Sequence, residues 1–172
     1  MKGESVRRFH LVFCVALLAA ATATSAGIAA KPMRSPVLSG PIDLPAGLVC
    51  SFAVHGEVVV NRQILTVFSD GSSRATGEFV AALTNVTTGK TIKLNAPGSV
   101  SLSAPDANGV VSFKGTGQNI YFFGPGELGA NAPGGLFLLD GLTTYQFDAN
   151  FSTVPGSVQH HGGVVDLCAA LS

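Results

Sequence analysis

The sequence predicts an all-β fold: a single antiparallel β-barrel or β-sandwich of about eight strands, with its two ends joined by a disulfide. Three observations carry this expectation. Short apolar runs alternate with polar residues and are broken by turn residues at intervals of about 8–12 positions. No run with helical periodicity reaches three turns. Cys50 and Cys168 stand near opposite ends of the expected folded part, with no cysteine between them.

The elements follow in order. Residues 48–57 (LVCSFAVHGE) alternate, with Leu48, Cys50, Phe52 and Val54 on one face. Residues 58–68 (VVVNRQILTVF) continue as a strand, and Asp70-Gly71 supplies the positive φ of a hairpin turn. Residues 75–86 (ATGEFVAALTNV) form a strand with Phe79, Ala81 and Leu83 on one side; the flanking Thr and Gly outweigh the helical bias of the alanines. The turn TTGKT leads to a strand with Ile92 and Leu94 inward, and GSVSLSA alternates through Val100 and Leu102. Asn108-Gly109, between alternating runs, is a strong hairpin signal. The longest strand covers residues 110–123, where Gly115 and Gly117 mark a bulge or bend. Residues 124–135 (GPGELGANAPGG) form the longest loop. LFLLDG, LTTYQFDANF and SVQHHGGVVDLC close the chain as strands, with Tyr145, Phe147 and Phe151 at alternating positions.

The start of the chain belongs to a different class of segment. Lys2, Arg7 and Arg8 precede a stretch over residues 9–30 free of Asp, Glu, Lys and Arg. Its apolar part, LVFCVALLAAATA, is followed by small residues, the layout of a secretory leader. Residues 1–30 are therefore expected to be a signal peptide that takes Cys14 with it, and the protein to be secreted or associated with the cell envelope. Three prolines in KPMRSPVLSGP suggest an extended tether over residues 31–43. Residues 44–172 then form the β domain.

Two cysteines remain after the leader. In an oxidising compartment they are expected to pair, clamping the first strand to the last. Closing so long a loop stabilises by roughly 4–5 kcal/mol in the chain-entropy account. From Lys31 onward seven basic residues face nine acidic ones, a net charge of −2. Such a balance predicts a weakly acidic surface without a basic patch, which argues against nucleic acid as a partner. No second long apolar stretch follows, so the mature form is not expected to span a membrane.

The cysteine after the start of the first strand, the TNVTTGKT hairpin at 84–91, the Gly115-Thr116-Gly117 interruption and the terminal DLCAAL resemble small exported actinobacterial β proteins of unassigned function. The resemblance implies no activity and transfers no catalytic residue.

Motifs for chemistry are few. TTGKT lacks the glycine that a phosphate loop needs five residues earlier; Thr84 stands there. No G-x-S-x-G nucleophile elbow occurs. His55, His160 and His161 are weak metal candidates, brought together only if the first and last strands touch. Aromatic residues stand out more. In the run Ile120-Tyr121-Phe122-Phe123 both faces of a strand carry a ring, so one face needs a cover. Tyr121, Phe122, Phe123, Phe137 and Tyr145 are therefore the candidate binding residues. The expected function is non-enzymatic binding of a small apolar ligand or a partner protein at one barrel end and the 124–135 loop, without a cofactor. The alternatives are a small-barrel enzyme of the cyclase or isomerase kind, with its site in the barrel mouth, and a structural envelope protein.

Overall fold

Alternating apolar residues build eleven strands and one short helix among the described residues of the structure, a computed structural model that describes residues 31–128 and 131–172. The expected leader and Cys14 lie outside these residues. In order they are β1 (Met33–Pro36), β2 (Ile42–Leu44), β3 (Val54–Asn61), β4 (Ile64–Val67), β5 (Ser73–Thr76), β6 (Phe79–Asn85), β7 (Thr91–Asn95), β8 (Ser99–Leu102), β9 (Val111–Phe123), β10 (Gly135–Phe147), β11 (Gln159–Asp166) and α1 (Leu167–Leu171). They form two antiparallel sheets. One has seven strands in the order β1-β4-β5-β8-β9-β10-β11; the other has four, β2-β3-β6-β7. Neither order closes on itself, so four strands are edges: β1, β11, β2 and β7.

Two sheets arise because the chain changes layer where a single long strand was expected. Residues 58–68 break at Arg62-Gln63, leaving β3 in the small sheet and β4 in the large one. Asn61 holds the break: its Oδ1 accepts the Gln63 N–H at 2.9 Å, and its Nδ2 donates to the Val37 carbonyl at 2.8 Å. The chain returns at Gly77, packed so closely on the Arg62 backbone that a Cβ there would collide with the Arg62 carbonyl. The segment expected to be a tether is bound into both layers. Met33–Pro36 pairs with β4, and Ile42–Leu44 pairs with β3. Its prolines stand before β1 (Pro32), at the end of β1 (Pro36) and before β2 (Pro41), positions where a missing N–H leaves no ladder bond unmade.

The β9–β10 hairpin is folded on itself. Phe113 and Tyr121 are eight positions apart in one strand, yet their ring centroids lie 5.9 Å apart. A straight strand would separate those residues by about 26 Å. The crease is a row of glycines in register across three strands: Gly117 opposite Gly141, and Gly141 opposite Gly162. All three have positive φ, at 69°, 124° and 147°. A Cβ on Gly141 would meet the His161 carbonyl, and one on Gly162 the Asp140 carbonyl. LFLLDG and LTTYQF are thus one strand with a hinge, not two strands.

The crease generates two cores. Inside the bend, Val111, Phe113, Tyr121, Phe123, Leu139 and Phe147 are buried together. On the other side of the hairpin, Leu136 joins Leu44, Val54 and Leu83 of the small sheet, with Phe122 and Leu138 packed against them. Leu167 and Leu171 of α1, at 1% and 0% exposure, complete that second core.

The end of the chain departs from expectation. Residues 167–171 are helical rather than extended, with Asp166 as N-cap accepting the Ala169 N–H at 3.0 Å. Five residues cannot hold a helix by propensity. Burial of the two leucines, on the order of 2–3 kcal/mol each, fixes it. Asn85 adds a hydrogen bond to the Leu171 carbonyl at 3.1 Å. The disulfide between Cys50 and Cys168 is present, with Cα atoms 5.4 Å apart. It joins a loop to this helix, not strand to strand. Cys50 precedes β3, which starts only at Val54, and β3 and β11 lie in different sheets.

Candidate functional site

The five aromatic candidates do not converge on one surface. Tyr121 and Phe123 are 6% and 3% exposed and lie within the crease. Tyr145 stacks on Phe113 at 4.2 Å between centroids and meets Phe123 and Tyr121 edge-on. Phe122 points the other way, into the core shared with the small sheet. What covers both faces of this strand is therefore the protein itself: the folded-over hairpin on one side and the second sheet on the other. One polar atom is left over. The Tyr121 hydroxyl is buried with no hydrogen-bond partner among the described residues. Burial raises its pKa above the ordinary tyrosine value, and the Thr143 hydroxyl, near but outside hydrogen-bond geometry, lowers it in part.

Phe137 lines an open depression. About 500 Å³ in volume, it lies between the loop at residues 47–51 and the loop after β9, with Leu48, Val49, Pro125, Leu128 and Phe137 as its apolar lining. Asp166 and Cys168 reach its border, so the disulfide builds one wall. Asp166 stands opposite Phe137 in the β10–β11 register. The depression borders the loop at residues 124–135.

The histidines stay apart. His55 belongs to the small sheet, and its Nδ1 lies 2.7 Å from Oδ1 of Asp43 on the neighbouring strand. His160, in the large sheet, is held by the Thr143 hydroxyl at 2.9 Å. His161 is exposed beside it. The first and last strands do not pair, and no three His, Cys, Asp or Glu gather in a metal-binding group among the described residues.

A feature that sequence reasoning missed is the free edge of β11. It pairs with β10 on one side only. Its neighbours Leu139 and Leu138 pack into the two cores, yet Val164 and Val165, directly opposite them, are 59% and 48% exposed. Among the described residues nothing covers its outer edge or these two valines. The Val-Val pair was visible in the sequence; which strand would lie at an edge was not.

These features define a two-sheet, all-β protein with one short helix and a disulfide, with two exposed valines on β11 beside an open depression. No helix is long and apolar enough to cross a membrane among the described residues. Compared with known proteins, the chain matches no family model, no curated protein and no solved structure.

Proposed function

We infer that the protein is a non-enzymatic binding module of the cell exterior that takes an extended segment of a partner protein along β11. The observation that carries this reading is a contrast between edges. Natural sheets blunt exposed edges with Lys, Pro, charge or brevity. β1 carries Arg34 and Pro36, β2 has three residues between two prolines, and β7 carries Lys93. β11 spans eight residues without Lys, Arg or Pro, and its one acid, Asp166, caps α1. Every second N–H and C=O of such a strand points away from β10 and is open to a new strand. The depression at its C-terminal end accepts an apolar side chain of the incoming segment. The disulfide is compatible with an extracellular setting.

The test replaces Val164 and Val165 by Lys together. Both are exposed, so the fold is retained, which far-UV circular dichroism verifies. The wild-type protein captures a partner from the exterior fraction of its host and crosslinks to it through residues 159–166. The double variant loses that capture by about tenfold or more, the scale of one lost anchor. Equal capture by the variant, or crosslinks confined elsewhere, overturns the reading. A small apolar molecule carried by both proteins in native mass spectrometry overturns it in favour of the depression as a ligand site.

A further inference from the structure

Over β1, β4, β5, β8 and β9 the outward face of the large sheet is cationic although the protein is not; the acid Asp140 follows on β10, opposite Gln118. β1, β4, β5, β8 and β9 contain no acidic residue. The register sets Arg34 opposite Thr66, Thr66 opposite Arg74, Arg74 opposite Ser101, and Ser101 opposite Lys114. Residues in register point to the same side of a sheet. Here that side is solvent: Arg34, Arg74 and Lys114 are exposed, whereas Leu65, Val111 and Phe113 on the opposite side are buried. None of the three cations pairs with a carboxylate among the described residues; Arg74 Nε donates to the Ser99 hydroxyl at 3.2 Å. The two acids nearest to Arg74 along the chain are engaged elsewhere: Asp70, in the β4–β5 turn, accepts the Ser72 N–H and hydroxyl, and Glu78, after β5, accepts from Arg62. A net charge of −2 over residues 31–172 makes this acid-free face a segregation, not a reflection of composition.

Its geometry suits one kind of polyanion. Cations on every second strand stand about 10 Å apart, twice the strand spacing, which is the length of a disaccharide in an extended glycan. Hydroxyls fill the gaps, Thr66 and Ser101 in the same row and Thr76, Ser99 and Thr116 in the next. At one end a depression of about 650 Å³ brings Lys31, Arg34 and Arg74 around Thr66, Thr76 and the exposed ring of Phe68. An aromatic ring receives the C–H face of a sugar, hydroxyls receive its hydroxyls, and guanidinium groups receive a carboxylate. A nucleic-acid strand carries a phosphate about every 3.4 Å and asks for several rings on which to stack its bases. This face offers one ring. We propose that it binds an acidic polysaccharide, an extended polyuronate whose alternate sugars present one carboxylate per disaccharide to this face. The proposal is independent of the β11 edge.

Affinity electrophoresis through gels holding polygalacturonate, dextran, polyglutamate or single-stranded DNA tests it. Polygalacturonate retards the protein, less so as salt is added, and dextran does not. Arg34→Gln with Arg74→Gln weakens the retardation about tenfold or more, as expected for lost charge-assisted contacts. Arg62→Gln, whose guanidinium bonds Glu78 at 2.9 Å, leaves it unchanged. All three side chains are exposed, and circular dichroism verifies the fold. No retardation by polygalacturonate, equal retardation by dextran, or no loss in the double variant overturns the proposal. Stronger retardation by polyglutamate or DNA overturns it in favour of that polyanion.

Discussion

Tyr121 is where packing and polarity disagree. Its ring stacks with Phe123 and meets Phe113 and Tyr145 edge-on, but its hydroxyl is buried unpartnered among the described residues. An unsatisfied buried hydroxyl costs about 1–3 kcal/mol. Tyr121→Phe keeps the ring and removes that cost, so it raises stability by about 1 kcal/mol in urea denaturation; a fall of that size shows that the hydroxyl has a partner. The same burial has a pH signature. The folded state favours the neutral phenol, so its pKa lies above the unfolded one. Stability is then unaffected below the unfolded tyrosine pKa, and declines as pH rises from there through the folded value. Phenolate absorbance of Tyr121 appears late in an alkaline titration, and Tyr121→Phe removes that late component. At this scale the sequence shows three consecutive aromatics but not what covers them. Each side chain's surroundings come from residues far along the chain.

Among the elements, the creased hairpin decides most. Gly141 and Gly162 combine positive φ with backbone approach too close for a Cβ. Gly141→Ala and Gly162→Ala each destabilise by about 2 kcal/mol or more, the sum of strain and displaced backbone. Denaturant midpoints measure this, and unchanged midpoints show that the crease does not depend on these glycines. The sequence signals a bend near Gly115 and Gly117. It does not reveal that Gly141 and Gly162, in other strands, fall in register with Gly117, because register over such separations follows from pairing, not from local preference. The hairpins at Gly71, Gly89 and Gly109 are local and were legible, whereas the break at Arg62-Gln63 was not. Residues 58–68 read as one apolar strand, and only the Asn61 contacts and the approach of Gly77 end it.

For the whole molecule, the bond between Cys50 and Cys168 ties residues 118 positions apart. It anchors α1, and through Leu167 and Leu171 the core that both sheets share. Replacing both cysteines by Ala lowers stability by roughly 4–5 kcal/mol if the constraint acts mainly on the unfolded chain. Urea unfolding of the two forms measures it, and equal midpoints remove the clasp from the account of stability.

The sequence by itself determined the all-β class, the local hairpins and the pairing of two cysteines, because alternation, turn residues and cysteine count are properties of neighbouring residues or of composition. The tertiary structure alone decided that the chain divides into two sheets, that the aromatic run covers itself, that β11 is the unguarded edge, and that scattered cations align on one acid-free face. Each of these depends on which distant strands pair and in which register. That choice is made by the burial of both faces of the creased hairpin at once, an energy that no single stretch of sequence contains.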